Sequence, residues 1–571
     1  MARLFIDPVT RIEGHLRIEA EVDGQQVKEA WSSGTMFRGI ELILRGRDPR
    51  EAWIWAQRIC GVCTTVHALA SVRAVENAVG AEVPENARLV RNIIAATQNV
   101  QDHVIHFYHL HALDWVDVTV ALKADPAKTS QLAQSISDWP KSSTVYFKAI
   151  QDRLKTLVGS HQLSLFSSGD WGNPAYRLSP EVNLLAVAHY LEALELQRQF
   201  IRIHAVLGGK NPHPQTYLVG GMASAMDASQ SESAINPVSI TLMNQLLAEA
   251  QTFVRQVYVP DVLAIAGFYK DWFNYGEGLG NFMAYGDYTT ASGHDPAGFL
   301  FPRGIVLGRD LSQVHPFDPQ NVTEFVTRSW YQYSGGDQAG KAPSQGQTDP
   351  KYSGPKPPYK FLKTDEKYSW LKSPRYSNKA VEVGPLARAL VAYASGDTQV
   401  KSLVDGTLAK LNQPPTALFS TLGRVAARAL EAQVMVDRLS LWIAQLEDNM
   451  GHGNVSIHNG DKWNPDTWPK SCKGFGYHEA PRGSLGHWVE IEDKKIVNYQ
   501  VVAPSTWNAG PRDAQGQPGA YEASLPGTPI GDPERPLEIL RTVHSFDPCL
   551  ACAVHVVRAK GRAYGRLALA L

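Results

Sequence analysis

Apolar and polar positions change period along the chain, and the changes mark out its elements. Residues 4–21 show short β-type alternation, with Leu16, Ile18 and Ala20 on one face, as in a half-buried strand. Val22-Asp23-Gly24 reads as a turn into a second strand over residues 26–31. From residue 64 the period becomes helical. Residues 64–79 and 86–122 predict long helices, the second carrying Val90, Ile93, Ile94, Val100, Val104, Phe107 and Leu110 at helical spacing. Residues 181–207, 238–257, 385–396 and 415–449 follow the same period. Pro180-Glu181 supplies the proline and acid that a helix start favours. Residues 334–359, rich in Gly, Pro, Ser, Gln and Lys, predict a long surface loop. Alternation returns at 487–503 as a hairpin with a charged turn at 492–495, and residues 505–536 read as loop-rich. The pattern predicts a mainly α protein with small β-sheets (α+β). A long central helix bundle is expected, with sheets built from the N-terminal and C-terminal segments.

No repeat of ~20–50 residues suggests a solenoid. No run of ~18 apolar residues predicts a transmembrane helix, and the N-terminus lacks the layout of a secretory signal. With 571 residues, length alone suggests about four domains. Lys+Arg number 55 against 56 Asp+Glu, which excludes the basic footprint of a nucleic-acid protein.

The five cysteines change the picture more. Five in 571 residues are too few for a disulfide scaffold. Four form two Cys-x-x-Cys pairs, Cys60/Cys63 and Cys549/Cys552, one near each end. Two intervening residues let both sulfurs of a pair turn to one side. Thr64-Thr65 suits a helix start, where positive partial charge lowers a thiol pKa. Four readings compete. A thioredoxin-like motif needs one pair in a βαβ setting, and no such pattern surrounds either. A structural four-cysteine zinc site has pairs usually ~15–20 residues apart, whereas Cys63 and Cys549 are 486 positions apart. An iron–sulfur cluster or another redox metal suits soft thiolates. Four buried thiols without a ligand would not need matched pairs. Cys472 reads as a structural thiol. Because both pairs must meet to share a site, one interlocked body over residues 1–571 is expected rather than separable domains.

The surroundings carry more. His67 follows Cys63 by four residues and His555 follows Cys552 by three. Five strings together resemble the large, catalytic subunit of nickel–iron hydrogenases, most closely the membrane-associated uptake type. They are Asp7-Pro8-Val9-Thr10-Arg11-Ile12-Glu13-Gly14-His15, Gly34-Thr35-Met36-Phe37-Arg38-Gly39-Ile40-Glu41, residues 58–67, Glu479-Ala480-Pro481-Arg482-Gly483, and residues 547–555. Residues 208–213, 381–386 and 139–143 add to the likeness.

The resemblance implies reversible cleavage of H2 to two protons and two electrons. It implies a nickel–iron centre held by Cys60, Cys63, Cys549 and Cys552, with one carbon monoxide and two cyanides on iron. Cys60 and Cys549 would be terminal on nickel; Cys63 and Cys552 would bridge the metals. Glu13 would relay the proton from Cys549, general acid–base work that needs a tuned pKa; by itself Glu13 reads as a surface carboxylate. Arg482 would stand over the open position, held by Asp102 and Asp547; Asp547 alone reads as a turn residue. Pro481, Leu485, Pro504 and Ser505 would line the diatomic ligands, with Ser505 and the Arg482 N–H as donors to cyanide. His67 would donate to a bridging sulfur. A magnesium site would use Glu41, the Val501 carbonyl and His555.

His103, His106, His109 and His111 share one predicted helix, but His109 sits about 240° around from His103. They read as core, interface or solvated histidines rather than a metal face. Residues 556–571 would be a C-terminal extension removed by a maturation endopeptidase after nickel chaperones deliver the metal. One spare cysteine cannot hold a relay of clusters. Electrons would therefore leave through an iron–sulfur small subunit, in a heterodimer or a dimer of heterodimers, to a cytochrome b membrane subunit. Export with that small subunit would place the chain at the periplasmic face of the membrane. A non-catalytic four-cysteine zinc protein is the alternative.

Overall fold

The computed structural model describes residues 2–553 except 161, 162, 164, 165, 231, 290–297 and 357. His555 and the extension 556–571 lie outside the described residues. The fold is mainly helical with small antiparallel sheets.

Three strands open the chain: β1 (Ala2–Ile6), β2 (Leu16–Asp23) and β3 (Gln26–Gly34), paired in that order. The alternating face of β2 is real: Leu16, Ile18 and Ala20 are fully buried. Burial of side chains the size of Leu16 and Ile18 contributes roughly 1.5–3 kcal/mol each. The loop from Asp7 to His15 joins β1 to β2.

The helices form the middle. α1 (Val66–Val79) and α2 (Glu85–Ile105) follow the first cysteine pair. α2 is buried on nearly every face, as a helix through the centre of a bundle must be. Its α-helical turns stop well short of residue 122. At His106–His111 the chain forms a π-turn, then a 3-10 turn at Ala112–Asp114. Tertiary bonds to the Asp114 carboxylate and carbonyl displace the regular ladder there. α3 (Pro180–Phe200) starts on Ser179, whose Oγ accepts from the Val182 N–H. α4 (Pro237–Phe253), α5 (Pro385–Ala394) and α6 (Thr421–Gly451) match the predicted periods. Helices at Pro126–Ile136, Thr144–Gly159 and Thr398–Leu411 lie where no helix is predicted.

The C-terminal sheet has three strands rather than two: β4 (Ser471–Ala480), β5 (Gly483–Glu492) and β6 (Lys495–Val502). The β5–β6 turn uses Asp493 and Lys494, both with positive φ, a twist suited to a two-residue hairpin. α1 lies on β4 at very short range. A Cβ at Gly476 would stand 2.1 Å from the Ala70 carbonyl oxygen, so only glycine allows that approach. The stretch 505–536 contains short helices at Pro504–Ala509 and Ala520–Ser524, and α7 (Leu537–Ser545) follows.

One large apolar core joins α1, α2, α3, α4 and α6 and includes all four paired cysteines. A second packs β2 and β3 against Tyr521, Ile539, Val543, Phe546 and Leu550. The two ends of the chain therefore share a core beside the cysteines.

Candidate metal centre

The first pair arrives on the turn before α1, the second on the turn after α7. The Glu13 N–H donates to the Pro548 carbonyl at 3.2 Å, and the Leu550 N–H donates to the Glu13 carbonyl at 2.8 Å. This parallel bridge sets the Asp7–His15 loop against Cys549.

All four thiols are free and buried, and their Sγ atoms lie within 4.8 Å of one another. The separations are 3.3 Å for Cys60–Cys549, 3.0 Å for Cys63–Cys552, 3.0 Å for Cys549–Cys552 and 3.9 Å for Cys63–Cys549. These are non-bonded distances, since a disulfide spans about 2.05 Å. Burial would raise every thiol. At Cys60 it is overcome by hydrogen bonds from Cys549, Cys552 and Cys63 and by the Arg482 charge, which hold that group well below the ordinary thiol range. Cys63 is pushed up to about 12, and burial also holds Cys549 and Cys552 high. Four thiolates this close need a cation to stay ionised. Soft sulfur donors in an apolar pocket suit nickel and iron.

Glu13 reaches the cluster from the side. Its Oε2 lies 3.3 Å from Cys549 Sγ and accepts the Ala551 N–H at 2.9 Å. Burial, then the Cys60 charge, raise its pKa. The carboxyl therefore holds a proton to a higher pH than an exposed glutamate would.

Arg482 occupies the two-residue turn between β4 and β5. Nη1 donates to Asp102 Oδ2 at 2.9 Å, Nη2 to Asp547 Oδ1 at 3.0 Å and Nε to the Asp547 carbonyl at 3.1 Å. Two carboxylates thus fix a buried guanidinium whose charge acts on Cys549 and Cys63. Asp102 is pushed up to about 7 by burial, against the pull of Arg482. Asp547 holds its place in a left-handed conformation, φ 58°.

Pro481, Leu485, Pro504 and Ser505 are all buried nearby. The Ser505 hydroxyl accepts the Cys549 N–H at 3.0 Å. His67 begins α1, with Nδ1 3.0 Å from His487 Nε2. In the expected magnesium region, the Val501 N–H donates to Glu41 Oε1 at 2.8 Å, and the Thr348 hydroxyl donates to Glu41 Oε2. Lys372 links Gln500 Oε1 (3.0 Å) and Glu324. Burial pushes Glu324 up to about 7. The Lys372 ammonium thus takes the Gln500 and Glu324 oxygens, and the Glu41 carboxylate is the hard oxygen donor of this region.

The four histidines after Asp102 do diverge. His103 meets Glu431, His106 the His544 carbonyl, His109 the Tyr190 carbonyl and His111 Asp114. Two further residues join the site: Gln98, outside every motif string, and His213, which ends the family-like stretch 208–213 without an assigned role. Gln98, one turn before Asp102, donates to Asp102 Oδ1 (2.7 Å) and the Val62 carbonyl, and accepts from Thr64. It ties the first cysteine turn to the arginine's support. His213 Nε2 donates to the Cys60 carbonyl at 2.8 Å. Only the i, i+4 spacing of Gln98 and Asp102 could have pointed to the first.

Thiolates enough for two metals, a carboxyl on one of them and a fixed guanidinium above define a redox metal centre with a built-in proton acceptor. The profile described as nickel-dependent hydrogenase matches residues 38–555, and a HoxL-like profile matches residues 3–32. The chain is 51% identical to an uptake hydrogenase large subunit of Rhizobium leguminosarum bv. viciae, over 99% of this chain and 97% of the relative. It is 50% identical to the hydrogenase-1 large chain of Escherichia coli K12, over 98% and 96%. The nickel–iron–selenium hydrogenase of D. vulgaris Hildenborough superposes with a TM-score of 0.75 at 34% identity, over 97% of this chain and 100% of that one. The chain belongs to the nickel-dependent hydrogenase family. As a catalytic large subunit of that family it is an oxidoreductase acting on H2, built around a nickel–iron centre.

Proposed function

We propose that the chain oxidises H2 in an uptake hydrogenase, with Cys60, Cys63, Cys549 and Cys552 as the metal ligands. The bound centre, its iron carrying one carbon monoxide and two cyanides, supplies the acceptor for the electron pair of H2. The chain's own residues manage the rest of H2 → 2 H+ + 2 e−. Glu13 takes the proton at Oε2 from the Cys549 side, and burial raises its pKa, which makes it a stronger proton acceptor than an exposed glutamate. Arg482, fixed by Asp102 and Asp547, keeps a positive charge over the thiolates in a place closed to bulk water. Pro481, Leu485, Pro504 and Ser505 shape the wall for the diatomic ligands. His67, held by His487, would supply an imidazole beside the cysteine ligands and so tune them. Glu41, the Val501 carbonyl and His555 hold magnesium.

Electrons pass to an iron–sulfur small subunit, because the one remaining cysteine cannot hold a cluster. A cytochrome b would receive them at the periplasmic face of the membrane, where the pair is exported together. Cleavage after His555 removes residues 556–571 once the metals are in place.

The 3.3 Å approach of Glu13 to Cys549 beside four convergent thiols carries the reading. Purified with its small subunit, the protein is expected to contain nickel and iron and to show infrared bands from carbon monoxide and cyanide. Zinc alone would overturn the reading. Glu13→Gln should keep both metals and lose on the order of 10²–10⁴-fold in turnover; normal turnover removes Glu13 from the relay.

A further inference from the structure

Behind Glu13 lies a buried cluster that the proton relay does not itself use. His111, Asp114 and His544 bring one ligand-type atom each to within 4.8 Å. Asp114 Oδ2 is 2.9 Å from His111 Nδ1 and 2.6 Å from His544 Nδ1. Three such groups suggest a metal site, but the proton positions exclude it. The Trp115 Nε1–H can only donate, and it donates to His111 Nε2 at 3.0 Å. The single proton of neutral His111 is therefore on Nδ1, directed at Asp114. That nitrogen is a donor and has no lone pair for a metal. Burial lowers His111 to about 4, which keeps the ring neutral.

His544 differs. Its Nε2 faces the Thr10 carbonyl at 2.9 Å, so it donates there. Its Nδ1 faces the Asp114 carboxylate at 2.6 Å, so both ring nitrogens lie against acceptor oxygens. Asp114 Oδ1 accepts from Arg11 Nη2 at 2.6 Å, and Arg11 Nη1 donates to the Leu110 carbonyl at 2.9 Å. Burial would raise Asp114, but Arg11 and His544 hold it well below the usual carboxylate range.

The partners reveal the purpose. Arg11 and Thr10 belong to the loop that carries Glu13, and Arg11 sits in the left-handed region at φ 53°. His544 belongs to α7, five positions before Cys549. Asp114 ends the 3-10 turn that follows α2 and its π-turn. One carboxylate thus joins the Glu13 loop, the Cys549 segment and the helix that bears Asp102. We infer that Arg11, Asp114 and His544 are positioning residues for the proton relay: their ion-paired cluster holds Glu13 at transfer distance from Cys549.

The inference rests on Glu13 being the relay. A displacement of about 1 Å costs on the order of 10²-fold in rate when the reacting geometry is lost. In the purified, metal-loaded heterodimer, Arg11→Met is expected to keep its nickel and iron and to lose about 10²-fold in kcat, with KM for H2 unchanged. Arg11→Lys, which preserves the charge, should recover most of it. The protonated-carboxyl infrared band of Glu13, identified by its loss in Glu13→Gln, should shift in Arg11→Met and return in Arg11→Lys.

An Arg11→Met enzyme with full kcat and an unmoved band would overturn the inference while leaving the function standing. Loss of the metals in Arg11→Met would also overturn it, because Arg11 would then support assembly rather than the relay. His544→Phe, read by the same band, checks the other arm of the cluster. Parent enzyme without nickel would instead fail the function itself.

Discussion

At Gly14 the backbone turns through φ +83°, and a Cβ there would stand 2.6 Å from the Ala551 nitrogen. The atom it would strike is the N–H that Glu13 accepts. Any side chain would therefore push the relay carboxyl and the second cysteine pair apart. Gly14→Ala pays the left-handed penalty of roughly 1–2 kcal/mol and the clash besides. The purified variant should unfold at a lower denaturant concentration and carry less nickel and iron than the parent. Full metal loading would show that the loop can yield without disturbing the cysteines. Glu13 and Gly14 were legible in the sequence because they sit inside a motif string. Gln98 was not, and His213, though it closes the family-like stretch 208–213, carried no assigned role. Their roles exist only once α2 and the segment after α3 converge on the first cysteine turn.

Between elements, a buried ion-pair network sets the spacing. Arg388 of α5 donates to both oxygens of Glu431 on α6, at 2.6 and 2.7 Å, and to Glu479 at the end of β4, at 2.7 Å. Burial would raise Glu431, but the Arg388 charge overcomes it and holds the carboxyl at about 2. His103, kept neutral by burial, adds a hydrogen bond. A carboxyl held at about 2 against an ordinary 4.5 contributes on the order of 3 kcal/mol at neutral pH. The contribution is complete above pH 4.5 and disappears as the pH falls from there toward 2. Glu431→Gln should thus be less stable than the parent at pH 7 by about 3 kcal/mol, with a gap that narrows at pH 3. Denaturant unfolding at both values reads the difference, and an unchanged gap would assign the stability to packing alone. The same scale shows where periodicity misleads. The apolar spacing of α2 continues past Ile105, but the chain leaves the α-helix at His106, and beyond it Arg11 and Arg541, from the two chain ends, donate to the Leu110 and Asp114 carbonyls. β4 escaped detection because Gly474 and Gly476 interrupt its alternation, and those glycines exist for the contact with α1.

Across the whole molecule, Cys60 and Cys549 touch at 3.3 Å although 489 positions separate them. Spacing along the chain could not foretell that contact; the paired Cys-x-x-Cys strings could, because each is useless to a four-sulfur site without the other. The mainly helical class was equally legible, since long 3.6-residue periods dominate the middle of the sequence. What the pattern left open is how the ends are held before metal arrives. The structure answers with the second core and the Glu13–Leu550 backbone bridge, both independent of sulfur. A metal bound by four thiolates adds to this only in the folded chain, and so stabilises it by mass action. The gain must fall on both ends together. In hydrogen exchange, chain from nickel-starved cells should lose protection at residues 7–15, 60–67 and 545–553 in parallel, by tenfold or more. Loss at the second cysteine pair alone would mean that the N-terminal loop is anchored by its own core and takes no support from the metal centre.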